Sequence, residues 1–411
     1  MKQQTIHIFE VIKDLNKLTS CLQQIINDHD PKNKLTISFD KPGIYLIDGL
    51  KLRSNLEFHL AKGVCLKGSG VEAKYHHRPG SFELNKNKTP ICALIYAQNC
   101  EHIKFSGEGT IDGNYTKFIL PNQKTASHLK FYKYPRPMTL YFENCVDTTL
   151  EDIEIKQAPF WTIHLVGCVN TVITKIKIHN EMRMPNTDGV DVDRSKNTLI
   201  QNCEIITGDD GICLKCTEET AKYGNCENLN VTDCYIESQS SAIKFGSSSF
   251  GDFENCKFER LDIRGTNRGL AFQLRDPGSA INIVFKDIKI ETQRFTEKWW
   301  GSGEPIFITL LPRTENTDLS GQRLENVKFE DIEFLSDNSI FIYTEQAKML
   351  DNIVFANLKA TFRDVKLEKT TFDLRPCNGK ATVQCRFQAI VSNSLNYVAR
   401  DLKVNFVEKS I

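Results

Sequence analysis

"KNTLIQNCEIITGDDGICLKC", residues 196–216, decides the fold. Short runs with apolar residues at every second position are broken by Asn, Asp and Gly, the pattern of brief strands joined by tight corners. Related segments run "NCEHIKFSGEGTIDGN" from Asn99, "NCVDTTLEDIEIKQAPFWTIHLVGC" from Asn144 and "VNTVITKIKIHNE" from Val169. Others begin at Cys226 and Phe253, with fainter copies from Ile281, Leu324 and Leu350. A repeat of roughly 20–30 residues is one turn of a solenoid. No long helical pattern separates the strands, which argues against βαβ units, and an all-β parallel β-helix is expected, each coil burying an apolar stripe and stacking on the next.

Composition agrees. The 411 residues are 40% hydrophobic and 25% charged, and 52 basic residues balance 52 acidic ones. That balance supplies no general field for nucleic acid, so no nucleic-acid partner is expected. No run approaches the ~20 apolar residues of a membrane helix, so no membrane partner is expected either. "MKQQTIHIFEV" lacks a signal-peptide core, which places the protein in the cytoplasm unless a leader has been removed. The 14 cysteines then read as reduced. Five of them follow an asparagine (Cys100, Cys145, Cys203, Cys226 and Cys256), a placement that stacked coils could turn into a column of small buried side chains near a corner. Cys213 and Cys216 form C-x-x-C without a partner pair, so no metal is assigned to them.

The whole chain, 1–411, reads as a single β-helix domain. "LNKLTSCLQQIINDHD", residues 15–30, spaces Leu18, Leu22, Ile25 and Ile26 as a helix does, and a solenoid end needs such a cap. Residues 365–411 are expected to form strands that cap the other end.

Four successive copies align on their core pairs: Val190 with Val192, Ile212 with Leu214, Ile243 with Phe245, and Leu270 with Phe272. Alternation sends Asp191, Cys213, Lys244 and Ala271 to the opposite face. Two residues before each core pair stands a second column: Asp188, Asp210, Ser241 and Arg268. Neighbouring coils lie about 4.8 Å apart, so Asp188 and Asp210 become vertical neighbours with Asp209 beside them. Such crowding predicts that at least one carboxyl titrates high, leaving an acid beside ionised bases. That is the division of labour needed to hydrolyse a glycosidic bond with inversion. Gly208 and Gly211 are expected to supply the backbone freedom for the turn.

"NTDGVDV" (186–192) and "GDDGICLK" (208–215) resemble motifs of glycoside hydrolase family 28, the polygalacturonase-like family. "GIYLIDGLKLRSNLEFHLAKGVCLKGS" (43–69), "GEGTIDGN" (107–114) and "QAPFWTIHLVGC" (157–168) extend the resemblance over most of the chain. The resemblance implies a right-handed, single-stranded parallel β-helix of the pectin-lyase-like kind. It also implies an inverting hydrolase without metal or organic cofactor, with Asp209 as general acid and Asp188 and Asp210 activating water. The implied substrate partner is a pectic oligosaccharide. Two family motifs are replaced: G-H-G reads Ser240-Ser241-Ala242, and R-I-K, which grips the substrate carboxylate, reads Ala271-Phe272-Gln273.

Lys244, Arg268 and Arg275 are the cations placed to compensate, although Asp276 offers Arg275 a local partner. Gln273 and Ser241 occupy substituted family positions. His164, in "FWTIHL", alternates with core residues near the expected cleft. Trp299 and Trp300, in the loop 294–306, offer flat faces for a sugar ring. Long loops at 70–90, with His76 and His77, and at 115–137 favour a walled site and removal of terminal sugars. The alternatives are a family-28-type hydrolase of another pectic sugar (rhamnogalacturonan or a neutral side chain), a β-helix polysaccharide lyase and a non-catalytic carbohydrate-binding β-helix.

Overall fold

The computed structural model describes residues 3–82, 89–132, 136–363 and 370–407. Residues 83–88 of the first long loop, 133–135 of the second and 365–369 of the expected C-terminal cap lie outside them, as do the side chains of His76 and His77. The chain divides into two compact units, Met1–Asp191 with Ser195–Gly208, and Val192–Arg194 with Asp209–Ile411.

The first unit is built of coils with three parallel faces. On one face Val146–Glu151, Val169–Thr174 and Lys196–Gln201 stack in register, carrying Leu150, Ile173 and Ile200 into one buried column. On the next, Glu154–Lys156, Lys177–His179 and Glu204–Thr207 stack, with Ile155, Ile178 and Ile205 fully buried. The third face joins Thr89–Gln98, Met138–Glu143 and Ile163–Val166. Corners fall where Asn170, Lys175, Asn197 and Asn202 take left-handed φ values of 52–58°. Asn tolerates this region better than most residues, which is why Asn punctuates the repeat.

The expected cap is Leu18–Asp28, preceded by a short 3-10 turn, Leu15–Lys17. It packs on Gly43–Ile47 and Leu50–Lys51 and buries Leu18, Leu22 and Ile26, each worth about 1.5–3 kcal/mol. Ile25 is only partly covered. A strand, Gln3–His7, precedes the cap and pairs with Lys34–Phe39. The stretch expected as a loop from residue 70 contains a strand, His76–Phe82, antiparallel to Thr89–Gln98.

The second unit repeats the plan with longer strands. Ile212–Cys216, Ser241–Ser249, Arg268–Leu274, Glu304–Leu310 and Ile340–Thr344 form one face. The aligned core residues meet as expected: Ile212 pairs Ile243 and Ile243 pairs Leu270, while Leu214 pairs Phe245 and Phe245 pairs Phe272. Phe245 and Phe272 stack at 4.5 Å, and Phe258, Phe285, Phe329 and Phe355 continue as a ladder at 4.8–5.0 Å. Corners carry amide ladders in which Asn282 donates to Asn255, Asn326 to Asn282 and Asn352 to Asn326, at 2.8–3.2 Å.

Two expectations change here. The cysteines do not form one column: in the first unit Cys100 and Cys145 interact and Cys145 meets Cys168, which follows a glycine, whereas Cys256 sits in the core row of Ile283, Val327 and Ile353. The C-terminal segment does more than cap. Tyr397–Val407 is a further coil strand parallel to Leu350–Arg363. Thr370–Asp373 and Thr382–Cys385 form a hairpin laid over the outer side of the sheet, where Phe372 and Leu374 cover Ala271, Phe307 and Phe341.

Candidate active site

In the second unit the paired carboxylates stand at the entrance to Ile212–Cys216. Asp209 is partly exposed, and Asp210 is 1% exposed. Neither flanking glycine has a positive φ. They are glycines because space is absent: a Cβ on Gly211 would lie 2.6 Å from the Ala242 carbonyl, and one on Gly208 would lie 2.4 Å from the Met184 carbonyl. The turn is thus held by close backbone approach, not by glycine's wider dihedral range.

Asp210 is held at both oxygens. Oδ1 accepts from Ser240 Oγ at 2.7 Å and from the Ser241 amide at 3.1 Å; Oδ2 accepts from Lys244 Nζ at 2.6 Å. Its own amide donates to Asp209 Oδ1 at 2.9 Å. Burial alone would push the Asp210 carboxyl up, but the charges of Lys244 and Lys215 and the bonds from Lys244 and Ser240 outweigh it and hold it below the ordinary value. Burial works against the Lys244 ammonium too, and the Asp210 carboxylate outweighs it and raises it. Crowded carboxylates repel, but alternation puts Lys244 on the outer side beside Asp210, and its ammonium offsets that repulsion there. Lys215, which the sequence reading passed over, lies nearby and donates to Cys213 Sγ at 3.1 Å. Two ammonium groups beside Asp210 make this a poor host for a metal cation.

In the first unit Asp188 is 3% exposed, and its carbonyl accepts from the Thr162 amide at 2.8 Å. Two residues missed in the sequence hold the loop around it. Asn180 Nδ2 donates to Thr162 Oγ1, Thr207 Oγ1 and the Thr187 carbonyl at 2.7–3.2 Å, while its Oδ1 accepts from the Ala158 amide. Arg136 lies between the Phe131 and Phe160 rings and donates to the Pro159 and Pro185 carbonyls and to Asn186 Oδ1. Their spacing gives no signal, since their partners are distant in sequence. His164 is buried edge-on against Trp161 at 4.8 Å and Tyr141 at 5.3 Å.

The remaining named cations are committed inside the protein. Arg268 is 1% exposed, pairs with Glu304 at 3.4 Å, covers the Phe307 ring at 3.6 Å and donates to the Asp373 carbonyl at 2.5 Å. Arg275 is fully buried and donates to the carbonyls of Leu274, Thr309, Leu374 and Pro376. Burial pulls its guanidinium down to about 9. Asp276 acts on it only at longer range; that carboxylate takes Arg313 at 2.7 Å. Gln273 donates to the Arg375 carbonyl. These three side chains therefore hold the segment 373–376 in place. Trp299 is buried and Trp300 is 37% exposed, so one tryptophan of the pair, not both, presents a face.

Parallel coils that carry adjacent aspartates, one clamped and one partly exposed, suit the two carboxyl roles of a glycoside hydrolase. Residues 51–385 match the family described as Glycosyl hydrolases family 28, and the chain belongs to it. It is a glycoside hydrolase with the right-handed parallel β-helix fold. An endo-polygalacturonase from Pectobacterium parmentieri is 22% identical over 365 residues, 85% of this chain and 85% of that protein. Among solved structures, an exopolygalacturonase from Yersinia enterocolitica superposes with TM-score 0.69 at 16% identity, covering 98% of this chain and 78% of that one. An exopolygalacturonase from Thermotoga maritima gives TM-score 0.69 at 17% identity, covering 98% and 92%.

Proposed function

We propose that the protein hydrolyses pectin-derived oligosaccharides with inversion, releasing terminal sugars. Asp209 is the general acid; Asp210, together with Asp188 on the sequence alignment of the coils, activates water. The observation that carries this is the contrast between adjacent carboxylates. Asp210 is clamped as an anion by Lys244, Ser240 and the Ser241 amide, whereas Asp209 stands partly exposed beside it. A base must stay ionised and an acid must reach the leaving oxygen, so the two environments suit the two roles. The names of the relatives support a galacturonate polymer as the substrate class. The length of the segment 294–306, in the unit that holds Asp209, supports terminal action.

A second reading keeps the mechanism and changes the sugar. The outer side where the substituted R-I-K positions fall is covered by Phe372 and Leu374, and Gln273 is tied to the covering segment. This favours a neutral or branched pectic sugar as an alternative. A lyase reading is weakened because its candidate base, Lys244, is an ammonium bound to Asp210.

Wild type and Asp209→Asn should be assayed against galacturonan, rhamnogalacturonan and neutral side-chain oligosaccharides, with products separated by chromatography and the anomer followed by NMR. Early release of single uronic acid residues with inversion, lost in the variant, is expected. Mixed oligomers at early times would refute terminal action, and turnover unchanged in Asp209→Asn would refute the assignment of the acid.

A further inference from the structure

We propose that Trp300 and Arg375 form a subsite for the carboxylate-bearing ring of an acidic sugar, next to the candidate catalytic carboxylates. The inference rests on the hydrolase reading above and adds the residues that choose the substrate. Both side chains are among the exposed groups of the second unit, at 37% and 38%, and the guanidinium lies 5.8 Å from the indole ring centre.

The pair is held rigidly from beneath. Arg375 Nε and Nη2 grip the Asp373 carboxylate at 2.6–3.1 Å, and Nη2 also donates to the Glu297 carbonyl at 3.2 Å. Asp373 is nearly buried, and its Oδ2 accepts from the Gly301 amide at 3.4 Å. One edge of the guanidinium is thus used. Among the described residues Nη1 has no hydrogen-bond acceptor, so that edge remains for a ligand oxygen. The Trp300 carbonyl accepts from Asn267 Nδ2 at 3.3 Å, which ties the Trp300 backbone to the column of coils that holds Asn267.

That column leads back to the carboxylates. Ser240 Oγ donates to Asp210, and Asn267 lies one coil further along, where the Arg268 amide donates to the Ser240 carbonyl. Asn267 is therefore two strand spacings, about 10 Å, from the carboxylate pair. An oligosaccharide seated on Asp209 reaches the indole within a short length of chain. Aromatic faces take sugar rings through their C–H surfaces. A guanidinium edge takes a carboxylate through parallel charge-assisted bonds. An exposed aromatic ring and a pre-oriented Arg side by side select a sugar that offers both.

Calorimetric titration of the full chain with trigalacturonate and with its methyl ester tests this. Wild type is expected to bind the acid about tenfold or more tighter than the ester, the size of a charge-assisted bond. Arg375→Ala should abolish that preference while leaving ester affinity in place. Arg375→Lys, which keeps the charge without the fork, should restore part of it. Trp300→Ala should weaken acid and ester alike. A preference that survives in Arg375→Ala overturns the proposal, as does failure of wild type to bind the acid. Melting temperatures separate misfolding from lost binding, and Arg375→Lys guards against loss of the Asp373 contact. Cleavage of galacturonate oligomers without any Arg375-dependent preference sinks the subsite alone. An Arg375-dependent preference without cleavage sinks the hydrolase reading and leaves the subsite standing.

Discussion

Two buried ion pairs draw on one column of the second unit, the first through Lys244 of the neighbouring column, and lead different lives. Asp210–Lys244 is short, at 2.6 Å, and lies beside a partly exposed carboxylate. Arg268–Glu304 is longer, at 3.4 Å, and is roofed by Phe307 and by the segment that carries Asp373. Each joins one coil to the next on the same face of the unit. What differs is cover: where the outer side is left open the pair can tune a reacting group, and where the chain folds back over it the pair becomes part of the core.

The largest test of that difference is Asp209→Asn, which sits only at the open end. It should cut kcat by about 10²–10⁴, the contribution of a general acid, with little change in melting temperature. Next come Lys244→Met and Arg268→Met. Each leaves a buried carboxylate without its partner, and each should cost about 3–5 kcal/mol of stability in urea unfolding. Only Lys244→Met should also move the acidic limb of the rate profile upward, because only Asp210 then loses the charge that keeps it ionised. Equal movement in both variants would erase the distinction between open and covered pairs.

The dependence of stability on pH should separate the pairs by sign. The Asp210 carboxyl is held below its unfolded value, first against burial and then by Lys244. Its contribution is present above the unfolded pKa and is lost as pH falls through the folded one. Glu304 is raised by burial, against the pull of Arg268. Its contribution is present at low pH, below the unfolded value, and is lost as pH rises through the folded one. Relative to wild type, Asp210→Asn should therefore be least costly in acid, and Glu304→Gln least costly near neutrality. Thermal melts between about pH 3 and 8 check both, a window set by the ordinary carboxylate values and the two directions. The smallest effect belongs outside the column: Asn352→Ala removes one rung of the exposed amide ladder and should cost about 0.5–1.5 kcal/mol.

Much of this was legible in the residues. The pairs Ile212–Ile243–Leu270 and Leu214–Phe245–Phe272 follow from alternation, because a coil must stack like on like. Asp209 and Asp210 announce themselves as a charged pair where a strand begins. The hairpin over Ala271 does not, because it comes from some hundred residues further along and its apolar residues look like any other strand. Arg268, Gln273 and Arg275 read as surface cations and amides beside a cleft, and only the covering segment shows why they are buried. Arg136 and Asn180 escaped notice for a related reason: each holds a loop by bonds to backbone carbonyls or hydroxyls, which leave no pattern in sequence.

The hairpin also carries a consequence for synthesis. Asp209, Asp210 and Lys244 leave the ribosome well before Thr370–Pro376, the stretch that seals the neighbouring coils and brings Arg375 to Trp300. A nascent or prematurely stopped chain that ends short of residue 370 has its carboxylates but an open apolar flank formed by Ala271, Phe307 and Phe341. Exposed apolar flanks of that kind favour association with other chains, so the last about forty residues of synthesis close a surface that the preceding coils leave open.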